Sequence, residues 1–316
     1  MYADNNMIFK LEKLFKRVYY YRLLFKNYIY ILFNLKNKNE FYVKLKDGTS
    51  GEITRDLLID LVNLAQWGLI SYKDISFKNG KLYSKGNPIY ATSRNRDLLL
   101  LSLVGWIIKD EIIEYPKFNV KFKLNCANSN LLETFNLEDY KLDVKEREVV
   151  DIGANIGDTA IYFSVKGAKH VYAYEPQPSF YKCALENIIL NNLENNITII
   201  NAAIGAYNGE FHGIDYITGS KFNVVKIPIK NVIKQVSDKY LLKIDCEGCE
   251  AELINDCDNF DFEYIIFEHH KAWTKIPVKR LIKKLETLQY KCTLKPAKFT
   301  NQPKSEFGVV MCHKNK

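Results

Sequence analysis

Acidic residues at the ends of apolar segments are the first candidates for chemistry in this chain. Asp151 closes an apolar run and is followed by Gly153-Ala154-Asn155-Ile156-Gly157, after which 159–166 is predicted to be a helix. A glycine in such a strand-to-helix turn lets a ligand approach the backbone. The unpaired N–H groups at the start of the helix suit a carboxylate or a phosphate. Asp151 itself suits a positively charged ammonium group.

A second acid supports the interpretation of this turn as a nucleoside site. The apolar segment 171–174 ends at Glu175, and Pro176 stops it. Glu175 follows the turn at about the separation at which an acid binds ribose hydroxyls in a nucleotide-binding βαβ unit. A ligand with a carboxylate, an ammonium group and a nucleoside fits these features, and S-adenosylmethionine has all three. A tight turn that binds no ligand remains the alternative.

The glycine spacing argues against a dinucleotide. A pyrophosphate-binding turn has the pattern Gly-x-Gly-x-x-Gly, whereas Ala154 and Asn155 follow the first glycine here. The small residues around Ala203, after a third predicted strand at 197–200, could leave a flat slot for an adenine ring, or they could simply pack a loop.

Polar residues also follow the fourth and fifth predicted strands, 240–245 and 264–267. Asp245 ends the fourth strand, Glu247 follows it, and Glu268 and His269 follow the fifth. Chemistry in open α/β sheets collects at the carboxyl ends of the strands. All four are candidate catalytic residues, and His269 is favoured as general base because the pKa of an unperturbed histidine lies near neutrality. A histidine that only forms hydrogen bonds is the alternative.

These motifs, in this order, resemble the FkbM family of S-adenosylmethionine-dependent methyltransferases. The resemblance rests on Val-Asp-Ile-Gly-Ala-Asn-Ile-Gly (150–157), Ala-Tyr-Glu-Pro (173–176), Asn-Ala-Ala-Ile-Gly (201–205), Lys-Ile-Asp-Cys-Glu-Gly-Cys-Glu (243–250) and Phe-Glu-His (267–269). Asp139-Tyr140 also resembles the tyrosine that precedes the first motif of the family. The likeness extends over about residues 130–270.

The resemblance implies an α/β protein with a Rossmann-like methyltransferase fold, which is a mostly parallel, doubly wound sheet. It implies methylation of a hydroxyl group, with S-adenosylmethionine as cofactor. The predicted cofactor site comprises Asp151, Gly153, Ala154, Asn155, Gly157, Asp158, Glu175, Pro176, Ala203 and Asp245. The predicted catalytic residues are Asp245, Glu247, Glu268 and His269. Two departures from the family pattern, Ile229-Lys230 and 254–256, fall on the side of the acceptor.

No metal site is predicted, because Cys246-x-x-Cys249 has no second pair of Cys or His with ligand spacing. The seven cysteines are odd in number and scattered, so a full disulfide framework is not expected and a reducing cytoplasm fits. The chain has 47% hydrophobic and 26% charged residues, as is typical of a globular protein. No segment approaches the roughly 20 apolar residues that cross a bilayer.

The length of 316 residues predicts two domains, a helical and hairpin accessory region at 1–115 and the methyltransferase domain at 116–316. Residues 1–50 carry ten Lys or Arg against four Asp or Glu, which is +6 of the net charge of +8. Hairpins are predicted at 41–53 and 75–84, helices at 55–66 and 96–109, and a strand at 119–124.

A single long helix is predicted over 7–35. One apolar seam runs along it, formed by Leu11, Leu14, Val18, Tyr21, Phe25, Tyr28 and Leu32. Packing of this seam against the protein itself is favoured. A homodimer through the seam, or peripheral contact with a membrane surface, is the alternative.

The predicted function is methylation of a hydroxyl on a glycan or small metabolite by S-adenosylmethionine. The alternatives are an NAD-dependent oxidoreductase, a metal-dependent transferase of the catechol type, and a non-catalytic cofactor-binding module that holds an assembly together. Nucleic acid is not an expected partner, because no two of the eight prolines are adjacent and the Asn/Asp-Pro-Pro-aromatic loop of base methyltransferases is therefore absent.

Overall fold

The computed structural model describes residue 15 and residues 17–89, 95–296 and 307–315. It divides into two compact units. The N-terminal unit extends to Asn119 and includes Ala127–Leu132, and the C-terminal unit comprises Val120–Cys126 and the chain from Glu133. The domain boundary at 115/116 stays a prediction. Among the described residues, no helix combines the length and apolar character needed to cross a bilayer.

Short helices and antiparallel hairpins build the N-terminal unit. In chain order they are α1 (17–24), α2 (Tyr28–Asn34), β1 (Glu40–Lys44), β2 (Ser50–Thr54), α3 (Arg55–Gln66), β3 (Ile75–Lys78), β4 (Lys81–Ser84), β5 (Asn87–Pro88), α4 (Arg96–Leu103), β6 (Ile107–Lys109) and β7 (Ile112–Tyr115). Both predicted hairpins form. The β3–β4 turn has Asn79 at φ +50° and Gly80 at φ +73°, as a two-residue turn that matches the twist of its strands requires.

The long helix predicted over 7–35 is wrong within the described residues, because it breaks after residue 24. Phe25 forms a bridge to Leu45 instead. The Asn27 side chain donates to the Tyr42 carbonyl and accepts from the Lys44 amide, both at 2.9 Å. These bonds to the neighbouring hairpin replace helical ones, as asparagine side chains often do.

The predicted seam is partly buried inside the N-terminal unit. Tyr21 and Phe25 have no exposed surface, whereas Val18, Tyr28 and Leu32 are half-buried. Leu11 and Leu14 lie outside the described residues.

The helix predicted over 96–109 is also shorter than expected. It ends at Leu103, because Gly105 adopts φ +103° and turns the chain. Residues 107–109 then pair as β6 with β7.

The C-terminal unit is built on a seven-stranded sheet with the order β11-β10-β9-β15-β16-β18-β17. Its elements are β8 (Val120–Lys123), a π-helical turn (Leu132–Asn136), β9 (Glu148–Ile152), α5 (Asp158–Val165), β10 (His170–Tyr174), α6 (Pro178–Leu190), β11 (Ile197–Ile200), β12 (Ala203–Gly205), β13 (Gly209–Ile214), β14 (Lys221–Pro228), α7 (Ile229–Gln235), β15 (Leu241–Ile244), α8 (Cys249–Asp256), β16 (Tyr264–His270), α9 (Lys271–Thr274), α10 (Val278–Thr287), β17 (Tyr290–Pro296) and β18 (Phe307–Lys314).

The first five strands of this sheet order run parallel, and β18 is antiparallel to both of its neighbours. The strand order steps away from β9 in both directions, as in doubly wound Rossmann-like sheets. The central strands β9 and β15 are buried at every position, which explains their continuous apolar sequences. The predicted fold class is confirmed.

Two features of the C-terminal unit differ from expectation. The region between the third and fourth predicted strands contains an antiparallel hairpin, β13–β14, which pairs with β12. The fifth predicted strand extends to His270, because β18 pairs with it through His270↔Phe307.

Disulfides are a third difference. The structure joins Cys126 to Cys183, Cys246 to Cys249, and Cys292 to Cys312, and leaves Cys257 free. Cys292 and Cys312 are direct partners across β17 and β18, a proximity that sequence spacing does not reveal.

Candidate active site

The predicted site residues collect at the carboxyl ends of β9, β10, β15 and β16. Between β9 and β15 the strand order reverses, and such a point forms a crevice in open α/β sheets. The two strands stay together to their ends, since the Asp245 amide donates to the Ile152 carbonyl at 2.9 Å.

The turn after β9 is held close to the end of β15. Gly153 has φ +80°, and the amides of Gly153 and Ala154 both donate to the Tyr174 carbonyl, at 2.9 and 3.1 Å. A Cβ on Gly153 would overlap the Asp245 carbonyl oxygen. Gly153 is therefore required by packing between strands as well as by any ligand.

The rest of the turn leads tightly into α5. Asn155 adopts φ +49° and Gly157 φ +82°, and a Cβ on Gly157 would lie 3.2 Å from the Ala184 backbone. Asp158, the first residue of α5, is buried and accepts from the Thr134 hydroxyl at 2.6 Å. Burial raises the pKa of Asp158 to about 6.

Asp151 has no exposed surface. The Thr159 hydroxyl donates to its Oδ2 at 2.6 Å, and the ammonium of Lys243 lies 2.9 Å from its Oδ1. Lys243 is also fully buried, and it donates to the Gly153 carbonyl at 2.7 Å. Burial alone would lower the pKa of Lys243, but the charges of Asp151 and Asp245 outweigh it and raise that pKa. The Asp151 carboxylate is thus paired inside the unit, beneath the turn.

Glu175 lies at the end of β10 and is 95% buried, with 5% of its surface exposed. Its two oxygens accept from the amides of Asn155 and Gln177, both at 2.8 Å. Burial raises the pKa of Glu175 to about 8 despite these bonds. Half-buried Pro176 follows, and its carbonyl accepts from the Asn201 side chain at 3.0 Å.

A buried donor lies next to Glu175. Gln177 is 5% exposed, its Oε1 accepts from the Tyr216 amide at 3.1 Å, and its Nε2 has no hydrogen-bond partner among the described residues. An orphaned buried donor is costly unless a ligand satisfies it. Glu175 and Gln177 together therefore fit a nucleoside. Glu175 could accept hydrogen bonds from its hydroxyl groups, and Nε2 of Gln177 could donate one to it. Ala203 is buried in β12.

Carboxylates gather at the ends of β15 and β16. The Tyr140 hydroxyl lies 2.9 Å from Asp245 Oδ2 and 3.2 Å from Glu268 Oε2, so its one proton serves one carboxylate at a time. Burial, followed by the charges of Asp245 and Glu133, raises the pKa of Glu268 well above its usual value. Burial and nearby acids also raise the pKa of Tyr140 well above 10, so the phenol remains a donor.

The two histidines of β16 lie on opposite faces of the sheet, because successive side chains of a strand alternate. His269 lies on the same face as Ile265 and Phe267, which belong to the apolar core. It has no exposed surface, and neither ring nitrogen has a hydrogen-bond partner within the described part of the chain. Burial, and then the nearby side chains of His270 and Lys271, lower the pKa of His269 to about 4.

His270, not His269, lies with the carboxylates. One ligand atom from each of Asp245, Glu268 and His270 falls within 4.8 Å of the others. Glu247 lies beyond Asp245 in the following turn, exposed and at φ +50°. The structure thus brings Asp245 and Glu268 together, places Glu247 at the edge, and places His269 elsewhere.

Three residues of the site had no predicted role: Lys243, Gln177 and His270. The pairing of Lys243 could have been predicted from the sequence, because a lysine inside a buried apolar strand needs an acidic partner. His270 could have been found only by knowing that β16 continues past Phe267.

A comparison of the sequence with known protein families gives a match over the part of the chain that contains this site. The model of the methyltransferase FkbM domain matches residues 151–292. This range begins at Asp151 and includes the turn, Glu175, Asp245 and Glu268.

Two curated relatives are similar over parts of the chain. Ribosomal protein L11 methyltransferase of Carboxydothermus hydrogenoformans is 35% identical over 88 residues, which are 28% of this chain and 25% of that protein. Uncharacterized protein 65 of Sulfolobus islandicus filamentous virus is 27% identical over 146 residues, which are 46% of this chain and 72% of that protein.

Solved structures show more distant likenesses. Precorrin-6y C5,15-methyltransferase from Geobacter metallireducens GS-15 has a TM-score of 0.36 and 13% identity, over 57% of this chain and 84% of that one. An rRNA methylase from Streptococcus thermophilus has a TM-score of 0.39 and 13% identity, over 55% of this chain and 90% of that one. Residues 151–292, which contain the turn and the strand ends of the site, are thus similar to the methyltransferase FkbM domain, a family that uses S-adenosylmethionine as methyl donor.

Proposed function

We propose that this protein transfers a methyl group from S-adenosylmethionine to a hydroxyl of a glycan or small metabolite. The observation that carries the proposal is the pair of carboxylates, Asp245 and Glu268, bridged by Tyr140 beside the β9–β15 crevice. Carboxylates accept hydrogen bonds from hydroxyl groups and can take up their protons.

The cofactor would be held by the turn after β9 and by the end of β10. Glu175 and the orphaned Nε2 of Gln177 would bind the nucleoside, and 153–158 with Pro176 and Ala203 would form the surrounding walls. The chemistry supplied by S-adenosylmethionine when bound is a methyl group already activated by a positive sulfonium. The protein then has mainly to orient the acceptor oxygen.

Asp245 is the proposed base. Its side chain is 20% exposed, so an acceptor hydroxyl can reach it, and the hydroxyl of Tyr140 helps to fix its position. Glu247, at the exposed edge, would contact the rest of the acceptor. His269 is not given this role, because its ring lies on the opposite face of the sheet without exposed surface.

The cofactor assignment is tested by calorimetry on the full chain with S-adenosylhomocysteine and, separately, with NAD. We expect binding of one S-adenosylhomocysteine per chain and no binding of NAD. The reverse preference would mean that the oxidoreductase alternative is right.

The acceptor assignment is tested with radiolabelled S-adenosylmethionine and a panel of sugars and hydroxylated metabolites. Asp245→Asn should retain affinity for S-adenosylhomocysteine and lose most methyl transfer, by about 10²–10⁴-fold for a lost general base. Asp258→Asn is the matched control, since the side chain of Asp258 is 98% exposed. If Asp245→Asn keeps full turnover on an acceptor that wild type methylates, Asp245 is not the base.

A further inference from the structure

Asp245, Glu268 and His270 form a compact cluster of mixed ligand type, called here the strand-end cluster. Glu268 and His270 are two residues apart on β16 and therefore share a face. Asp245 follows β15, whose Ile244 pairs with Phe267, so the parallel register places Asp245 beside Glu268. One oxygen or nitrogen atom from each of the three lies within 4.8 Å of the others.

The negative charge of this cluster is not balanced by the nearby lysine. Lys243 lies 2.9 Å from Asp151 but 3.8 Å from Asp245, so its charge is largely taken by Asp151. Tyr140 contributes a neutral hydroxyl with a single proton. Two carboxylates this close together, one of them the buried Glu268, are expensive unless a cation or added protons compensate them.

The hydrogen bonds leave ligand positions free. Within the described part of the chain, Tyr140 contacts Asp245 through Oδ2 and Glu268 through Oε2. No hydrogen bond of the described residues uses Oδ1 of Asp245 or Oε1 of Glu268. Each carboxylate therefore keeps one oxygen for a further partner, next to an imidazole.

We propose that the strand-end cluster binds one divalent cation of the Mn²⁺ or Mg²⁺ type. Carboxylate oxygens are the preferred ligands of these ions, and histidine is the commonest metal-ligating side chain in proteins. Three protein ligands leave open positions, which oxygen atoms of the acceptor would fill. This last point rests on the proposed function, whereas cation binding does not. The proposal replaces the sequence-based expectation of a site without metal.

The test is Mn²⁺ binding to the full chain, measured by calorimetry and by loss of the free Mn²⁺ signal in electron paramagnetic resonance. We expect one Mn²⁺ per chain, and binding at least about tenfold weaker in Glu268→Gln and in His270→Gln. His212→Gln is the matched control. His212 lies 3.7 Å from Glu210 on β13, and both side chains are about two-thirds exposed, at 66% and 69%, so its loss should not change the affinity. Far-ultraviolet circular dichroism establishes that each variant is folded.

The outcomes separate this proposal from the proposed function. If wild type binds S-adenosylhomocysteine but no stoichiometric Mn²⁺, the cation site is wrong and the methyltransferase assignment stands. If Mn²⁺ binds and neither folded variant weakens it, the ion lies elsewhere and the proposal is also wrong. If Mn²⁺ binding depends on Glu268 and His270 while S-adenosylhomocysteine does not bind, the cation site stands and the proposed function is wrong.

Discussion

Asp151 shows how one residue can serve the site without facing it. A carboxylate after an apolar strand predicts a contact with a ligand ammonium, yet Asp151 is fully buried and is paired with Lys243 and Thr159. Lys243 in turn holds the Gly153 carbonyl. A direct contact between Asp151 and the cofactor stays a prediction. The structure adds a positioning role, because the ion pair lies beneath the turn.

Glu175 supports the first residue-scale prediction. Glu175→Ala should weaken binding of S-adenosylhomocysteine by about 1–3 kcal/mol, the cost of leaving a buried ribose hydroxyl without its hydrogen-bond partner. Calorimetry measures it, with Glu194→Ala at an exposed position as the control. Because Glu175 also accepts from two backbone amides, Glu175→Gln is needed as a second variant. Unchanged affinity in both variants would remove Glu175 from the site.

Asp158 supports a prediction about pH. Its pKa is raised by burial from 3.8 to about 6, so the folded state holds a proton that the unfolded state releases between these values. The contribution of this proton to the free energy of unfolding is complete below pH 3.8 and is lost as the pH rises through about 6. Above that pH the ionised form costs about 3 kcal/mol, at 1.36 kcal/mol per pKa unit.

Asp158→Asn should therefore be more stable than wild type at pH 7.5, and the advantage should shrink at pH 4.5. Urea unfolding at both pH values measures the difference, and Asp258→Asn controls for loss of an exposed charge. The asparagine can still accept from the Thr134 hydroxyl, so that bond is kept. An Asp158→Asn protein that is no more stable than wild type at pH 7.5 would contradict this account.

At the scale of elements, β16 explains why His270, and not the favoured His269, lies beside Asp245. The motif at its end reads Phe267-Glu268-His269-His270, and the periodicity gives no sign of where the strand stops. The strand continues because β18, some 40 residues later, pairs with it as far as His270. Alternation then places His269 in the core and His270 with Asp245. A long-range pairing thus decided which imidazole reaches the site.

The elements that could be predicted are those whose signals are local. The bounds of α5, β10 and β11 were predicted to within one residue, since glycine, proline and apolar runs mark their ends. The hairpin β13–β14 was missed because β13 is exposed at all but one of its positions, which leaves no alternation of buried and exposed residues in that strand. The position of Glu268 followed from the sheet, but its approach to Tyr140, 128 residues away, could not.

The turn between β9 and α5 gives a prediction at this scale. Gly153→Ala should destabilise the protein by more than about 3 kcal/mol, because a Cβ would overlap the Asp245 carbonyl, in addition to the strain of a positive φ. Gly219→Ala is the matched control, since Gly219 also has positive φ, at +71°, but nothing lies within 4 Å of its added Cβ. Thermal unfolding of both variants measures the difference. Equal losses would show that β15 can move aside without cost.

For the whole molecule, the N-terminal segment gives a further prediction. Removal of residues 1–37 deletes Tyr21, Leu24, Phe25 and Ile31, which are fully buried, and so uncovers the surfaces they pack on. We expect aggregation, or loss of a dimer, in sedimentation velocity. Phe33→Ser is the control, because Phe33 is 82% exposed and its loss should leave folding unchanged. A truncated chain that is soluble and monomeric, with a parent that sediments with anionic vesicles, would favour membrane contact instead.

The position of β18 between two strands that precede it in the chain has a consequence for how the protein is made. A ribosome delivers the chain from its N-terminus, yet β18 lies between β16 and β17 in the finished sheet. In the described sheet β17 pairs only with β18, so it must wait unpaired while the chain from Pro296 to Lys314 is translated. At about 5–20 residues per second this lasts on the order of a few seconds. Throughout that time β16 lacks its β18 partner, and its open strand edge is a place where a chaperone can bind.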